Sequence, residues 1–263
     1  MPTPFNEAWI SAELAYPGAL ALGSPDLANV KRLQEWLSLR GYKVLVDGDF
    51  GPATKKALAD FQKKQGSAGS GTLGPQTWKA LIDPMASLLS AHLTLQTTSY
   101  VDAVEKLAFL HLKQHPLEVG GQNRGPWVRL YTKGNQGAAF PWCAGFVSFV
   151  MMQASLCTGI PMPLDYTLSC DLFAADAKNK GRFIPQAKLT PATASTCGLF
   201  LVRKTNTDWT HMGFATKYNV SRGKVTSFET IEGNTNDAGD REGYEVCKRY
   251  RGVPGRDFIR IDA

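Results

Sequence analysis

The chain is poor in the residues that build metal and disulfide frameworks. Its 263 residues include only four histidines and five cysteines. The cysteines (Cys143, Cys157, Cys170, Cys197 and Cys247) are odd in number and form no Cys-x-x-Cys pair. Neither a disulfide framework nor a thiolate zinc site is signalled. Most of them are expected to be small buried hydrophobes, with one or two chemically special. No stretch approaches the roughly 18 apolar residues of a membrane span, so membrane insertion is not expected. The start, 1–21, has no charged segment leading into an apolar core and carries Pro2, Pro4, Glu7, Glu13 and Pro17. It reads as no secretory signal, which implies synthesis in the cytoplasm and action elsewhere only after release or delivery. Basic runs are lacking too: the net charge of +6 is spread along the chain. Nucleic acid is therefore not an expected partner, although a positive surface favours polyanions in general.

What is present is ordinary globular composition, 43% hydrophobic and 20% charged, which excludes disorder and allows one large domain or two modest ones. The first ordered unit runs over 25–84. Val30, Leu33, Trp36 and Leu37 recur at helical spacing and Gly41 closes that helix. A turn follows at Val46 to Pro52, and a second helix carries Thr54, Ala57, Leu58 and Phe61. Gly66 to Gly71 is a flexible loop by composition, and a third short helix holds Thr77, Trp78, Leu81 and Ile82. Gly51-Pro52-Ala53-Thr54-Lys55-Lys56-Ala57-Leu58 matches Gly74-Pro75-Gln76-Thr77-Trp78-Lys79-Ala80-Leu81 at six of eight positions. In both, Gly ends a turn and Pro pre-sets φ for the helix start.

Leu33-Gln34, Leu39, Gly41-Tyr42, Asp47-Gly48, Phe50-Gly51-Pro52, Thr54, Ala57-Leu58 and Phe61-Gln62 together resemble the peptidoglycan-binding domain of wall hydrolases, a three-helix domain of this size. The resemblance implies peptidoglycan as partner and wall contact through the loop of Asp47, Asp49, Phe50 and Gly51, with Thr54. No twelve-residue pattern of oxygen ligands follows Asp47, so that loop is not read as a calcium site.

Residues 1–24 read as an extension and 85–98 as a linker without Lys, Arg, Asp or Glu. The second domain is placed at 99–263. Ser99 suits a helix cap with Asp102 in the first turn, and Pro116 ends that helix. The segment Phe140 to Met151 is apolar nearly all round from Ala144 and predicts a buried helix with Cys143 at its N-terminus. There the helix dipole favours a thiolate. A thiolate nucleophile needs a base and the base an orienting partner. Of the four histidines (His92, His111, His115 and His211) only His211 follows Cys143, in a strand-like stretch from Asp208 to Ala215. Alternation sends Met212 and Phe214 one way and His211, Gly213 and Ala215 the other. Glu232 and Asn234 lie two apart at the end of the next strand, and either could fix the imidazole. Strands are further read at Leu199–Arg203, Tyr244–Tyr250 and Phe258–Ile261. Helices lead and strands trail, an α+β arrangement with helices packed on an antiparallel sheet.

Pro141-Trp142-Cys143-Ala144 with Phe146-Val147, then Trp209-Thr210-His211 with Gly213, then Ile231-Glu232-Gly233-Asn234-Thr235, resemble the CHAP group of papain-like cysteine hydrolases and the broader NlpC-like set. The segment Glu118 to Val128 is similar to the entry segment of such proteins. The resemblance implies a cysteine peptidase or amidase acting on peptidoglycan, of the phage endolysin kind, with Cys143 as nucleophile, His211 as base and Glu232 or Asn234 behind it. Gln136 is a candidate oxyanion donor, and Trp142 and Trp209 are candidate substrate contacts. No Asp or Glu occurs between Val119 and Trp142, so no calcium is expected there, and no metal or cofactor is expected elsewhere. A monomer is expected. Rival readings are an amidase effector delivered by a secretion system, a wall-binding protein without catalysis, and a zinc amidase using His111 and His115 at helical i, i+4 spacing.

Overall fold

In the computed structural model the described residues are 5, 7–95, 97–194, 198–236 and 243–262, the side chains of 92 and 93 excepted. Cys197 lies outside them. Among the described residues the chain forms eight α-helices and one six-stranded antiparallel sheet, the α+β class that the helix-then-strand order predicts. It divides into two compact units, 1–88 with 117–138, and 89–116 with 139–263.

The first unit holds α1 (Ala8–Leu14), α2 (Leu27–Leu39), α3 (Pro52–Lys64), most of α4 (Pro75–Leu89) and α6 (Pro126–Tyr131). Its core is Val30, Leu33, Trp36, Leu37, Phe50, Leu58, Phe61, Leu73, Trp78 and Leu81. The sequence echo is also an echo of hydrogen bonds. Gln34 Oε1 accepts the Gly48 N–H at 2.8 Å while its Nε2 donates to the Asp49 carbonyl and to Thr54 Oγ1. Gln62 Oε1 accepts the Gly71 N–H at 2.8 Å while its Nε2 donates to the Thr72 carbonyl and to Thr77 Oγ1. Each buried glutamine satisfies the backbone of one turn, and Gly48 and Gly71 take the positive φ that the turn needs.

Three sequence expectations are corrected here. Of the residues read as an N-terminal extension, 7–24 are tied into the first unit: Glu13 is buried, and Trp78 Nε1 donates to the Leu14 carbonyl. The third helix is not short, because α4 continues through Pro84 to Leu89, held by the buried Met85, Leu88 and Leu89, and a 3₁₀ turn (Ser90–Leu93) follows. A proline removes one ladder bond, and burial of that apolar face outweighs the loss. Finally, Leu117–Ala138 folds with the first unit rather than the second. Trp127 meets Trp36 edge-on, and Arg129 is buried between Glu13 and Glu35, donating from Nε, Nη1 and Nη2 to both carboxylates. The tie joins residues more than 90 positions apart, so no local pattern could reveal it. Replacing Arg129 by methionine leaves two buried carboxylates uncompensated. The expected cost is about 3–5 kcal/mol, read as a lower urea midpoint for the first unit by tryptophan fluorescence.

The second unit is built around α7 (Cys143–Thr158). Every residue from Cys143 to Met151 is buried, because the helix packs on α5 (Tyr100–Gln114) and on strands β3 (Trp209–Ser221) and β4 (Lys224–Thr235). The Ser99 hydroxyl caps α5 as predicted, accepting the Asp102 N–H. With β1 (Phe183–Ile184), β2 (Gly198–Arg203), β5 (Glu245–Gly252) and β6 (Arg256–Arg260), the sheet order is β1-β6-β2-β3-β4-β5. Alternation divides the strands as the sequence predicts. Phe214 meets Phe146 of α7 on one face, while Phe200, Ala215, Phe228 and Phe258 form a separate cluster on the other. Helix α8 (Cys170–Asn179), capped by Ser169, packs on β3 and β1. The two-residue β1 carries too little pattern to be read from sequence.

Candidate active site

Trp142 immediately precedes α7 and offers it no side-chain cap. The first intrahelical bond runs from the Phe146 N–H to the Trp142 carbonyl at 2.8 Å. The amides of Cys143, Ala144 and Gly145 therefore lie in the unpaired first turn, and the positive end of the helix dipole falls on the Cys143 sulfur.

His211 reaches that sulfur from β3, where a bulge sets its direction. Val202 pairs with His211 but Arg203 pairs with Trp209, so Thr210 is skipped. Two residues that would share a face in a regular strand are thereby split, as bulges beside functional sites often do. Trp209 Nε1 donates to Asp257 at 3.0 Å, while His211 Nε2 meets Glu232 Oε2 at 2.8 Å. With Nε2 committed to the carboxylate, Nδ1 is the nitrogen left for the Cys143 sulfur, and each group favours the charged form of the other.

Glu232 is fully buried and every lone pair is used. Oε1 accepts from Thr230 Oγ1 at 2.6 Å and from Arg251 Nε; Oε2 accepts from Arg251 Nη2 and faces His211. Asn234, at φ 55°, does something different. Its Oδ1 accepts the Trp142 N–H at 2.7 Å and its Nδ2 donates to the Gly243 carbonyl, so it fixes the backbone just before Cys143. Of the two residues that the sequence leaves open, Glu232 orients the imidazole and Asn234 anchors the start of α7. Two glycines let these parts meet. A Cβ on Gly213 would lie 2.9 Å from Glu232 Cγ, and one on Gly233 would lie 2.8 Å from Phe146 and the Trp142 ring.

The electrostatics follow from these contacts. Burial alone would lower the His211 pKa, but the Cys143 sulfur and the Glu232 carboxylate raise it to about 9. Burial would raise Glu232, yet Arg251 and His211 bring it to about 2. Cys143 is held well below the usual thiol range by a hydrogen bond from Cys170, against the effect of burial, with His211 and the Met212 N–H acting the same way. The site is a thiolate beside an imidazolium backed by a carboxylate, able to attack an electrophilic carbon and pass on a proton. Iodoacetamide is accordingly expected to alkylate Cys143 at pH 6 well ahead of Cys157, whose thiol burial pushes up to about 11. Peptide mapping of a limited reaction checks this, and equal labelling of the two would contradict it.

A cleft of about 320 Å³ opens on the sulfur, lined by Phe140, Pro141, Cys143, Leu168, Ser169, Cys170, Lys204, Asp208, Trp209 and Thr210. Trp209, a candidate substrate contact, lines this cleft, with Lys178 Nζ 4.4 Å from its ring centre. Trp142 is fully buried and its ring packs over Gly233. Gln136 belongs to the first unit, where its Oε1 accepts from Arg129 Nη1 and the Gly125 N–H. In the proposed wall-contacting loop, Asp47 Oδ1 accepts from Gln34 Nε2 and the Asp49 N–H. Phe50 and Thr54 are buried, Gly51 is half-buried, and Asp47 and Asp49 are exposed. A separate cleft in the first unit, about 480 Å³, runs along the other repeat from Gln62 to Thr77 and is lined mostly by hydroxyl, amide and glycine groups, without a charged side chain.

Sequence reasoning missed Arg251, Thr230 and Cys170. Period-two alternation puts Thr230 on the Glu232 face. The Ser169-Cys170-Asp171 start of α8 repeats the helix-terminus argument made for Cys143. His111 and His115, the pair of the rival zinc reading, take separate partners. His111 is buried against Phe146 and Phe149, its Nε2 meets Gln153 Oε1 at 3.0 Å, and burial lowers its pKa to about 4. His115 has left the helix at φ 48° and meets Glu245 at 2.5 Å.

Among the described residues no helix is long and apolar enough to cross a membrane. No curated protein and no solved structure matches the chain. Residues 26–81 match the family described as "Putative peptidoglycan binding domain", so the chain carries a peptidoglycan-binding domain over α2, α3 and the first part of α4, and association with the cell wall follows.

Proposed function

We propose that the second unit is a papain-like hydrolase domain of the CHAP and NlpC kind that cleaves an amide bond of peptidoglycan delivered by the wall-binding domain. The observation that carries this reading is the constellation of Cys143 at the start of α7, His211 acting on its sulfur, and Glu232 at 2.8 Å behind the ring.

In the reaction, Cys143 Sγ attacks the carbonyl carbon of a stem-peptide bond or of the bond between muramic acid and the peptide. The oxyanion forms next to the unpaired first-turn amides of α7, which act as fixed dipoles for developing charge. The His211 imidazolium gives its Nδ1 proton to the leaving amine as the C–N bond breaks, leaving an acyl-thioester. His211 then takes a proton from water, the hydroxide attacks the thioester, and the carboxylate product leaves as Cys143 regains its charge. Glu232 and Arg251 hold the ring throughout. The wall-binding domain raises the local substrate concentration by tethering the chain to the wall.

The biological setting proposed is lysis by a phage-type enzyme that reaches the wall after release from the cytoplasm. A delivered effector would use the same chemistry. Mass spectrometry of fragments released from purified sacculi tests the reading. New amine and carboxyl ends support it and name the bond. A chain that sediments with sacculi yet releases nothing would instead be a wall-binding protein.

A further inference from the structure

A second cysteine stands against the reactive one, and no bond-making step above uses its sulfur. Cys170 opens α8 as Cys143 opens α7, and the two sulfurs lie 3.9 Å apart. Both are free thiols, and both line the same cleft. A disulfide needs about 2.05 Å between sulfurs, so the two sulfurs, already in contact, have only to approach further for a bond to form. Each side chain sits at the first residue of its helix, where no preceding turn hems it in. Access comes through the cleft, since the cysteines themselves are only 5% and 8% exposed. An oxidant must therefore be small.

We infer that Cys143 and Cys170 form a redox modification site, in which a hydroperoxide converts the reactive thiolate into a reversible intramolecular disulfide. The Cys143 thiolate attacks the O–O bond of hydrogen peroxide, forming an S–O bond and releasing hydroxide, which takes the His211 imidazolium proton and becomes water. Cys143 becomes a sulfenic acid, oxidised by two electrons while the peroxide is reduced. Cys170 sulfur then attacks Cys143 sulfur. The S–S bond forms, the S–O bond breaks, and the departing hydroxide takes the Cys170 proton as water. The sum is two thiols and one peroxide giving one disulfide and two waters. A dithiol reverses it by exchange.

The roles of the two sulfurs follow from their surroundings. The Cys170 thiol, His211 and the Met212 N–H favour the anion on Cys143, whereas the neighbouring Cys143 sulfur, burial and Asp171 keep Cys170 protonated until the sulfenic acid has formed. Without Cys170, the sulfenic acid would meet more peroxide and pass to sulfinic acid, which a dithiol does not reduce. The disulfide thus protects the nucleophile while it blocks it. The block on turnover rests on the hydrolase reading; the bond itself does not, and it is read by mass alone.

The experiment treats the full chain with hydrogen peroxide, then maps peptides with and without dithiothreitol and counts iodoacetamide-reactive Cys143. In the wild type a Cys143–Cys170 cross-linked peptide is expected, the chain losing two hydrogens, and dithiothreitol should restore labelling of Cys143 nearly completely. In Cys170→Ser, labelling is expected to stay lost, with sulfinic acid at Cys143. The wild-type map decides even if the variant fails to fold. Sulfinic acid at Cys143 in the wild type, a link from Cys143 to another cysteine, or Cys143 left unoxidised would each overturn the inference.

Discussion

Replacing Cys143 by alanine is expected to lower fragment release from sacculi by about 10⁴-fold or more, with sedimentation on sacculi unchanged. Removing the nucleophile of a coupled constellation costs about as much as removing the whole of it, because the remaining members have nothing to act on. Cys143→Ser separates charge from shape. The hydroxyl fits the same space, but it would have to be ionised by a histidine whose partner is no longer a thiolate, so the loss should be nearly as large as in Cys143→Ala. Binding is unaffected because the wall-binding match covers 26–81. Release by Cys143→Ala at the wild-type rate would remove the cysteine mechanism. Loss of sedimentation together with release would point to misfolding, which far-ultraviolet circular dichroism resolves.

Much of this site is legible in the sequence because its residues sit at positions that local rules govern. Cys143 is marked by an apolar helix beginning just after Pro141 and Trp142, and His211 and Glu232 by alternation in strands. The bulge at Thr210 is not legible, since a skipped residue depends on the neighbouring strand's register. It alone explains how Trp209 reaches Asp257 while His211 reaches Glu232. Arg251 is hidden for a similar reason. It lies opposite Phe228 in register and reaches along the strands to Glu232, a contact across two chain segments that composition does not mark. The grouping of 117–138 with the first unit is not legible either, because a buried Arg129 between two carboxylates looks, in sequence, like any surface arginine. Local periodicity tells what a residue's own element does with it, and long-range ion pairs fall outside that rule.

Glu232→Gln carries the second large effect, and it acts on chemistry and stability at once. The carboxylate accepts from Thr230, from both Arg251 nitrogens and from His211. An amide at that position offers one oxygen, so its NH₂ must face a donor on either Arg251 or His211. Arg251, only 14% exposed at its side chain, loses its counter-charge, and breaking such a buried pair costs about 3–5 kcal/mol. The pH dependence has two signs in the wild type. The stabilisation from His211 is complete below its ordinary pKa of 6.5 and lost as pH rises through about 9. That from Glu232 is complete above 4.5 and lost as pH falls through about 2. Both are present together from pH 4.5 to 6.5, where the urea midpoint of the second unit should be highest among these contributions. Glu232→Gln removes the acid limb and moves the alkaline limb of activity below pH 9, because His211 then has one anionic partner instead of two. Turnover at pH 7 should fall by about 10²–10⁴-fold, the upper figure holding if the imidazole adopts the wrong tautomer. A double variant, Glu232→Gln with Arg251→Met, separates the two effects. Removing the orphaned charge as well should recover most of the urea midpoint, since apolar replacement of a buried ion pair is often neutral. The activity and the alkaline limb should stay displaced, because nothing has restored the anion behind His211. If the double variant recovers both, Glu232 serves the fold alone and the orienting role assigned to it is wrong.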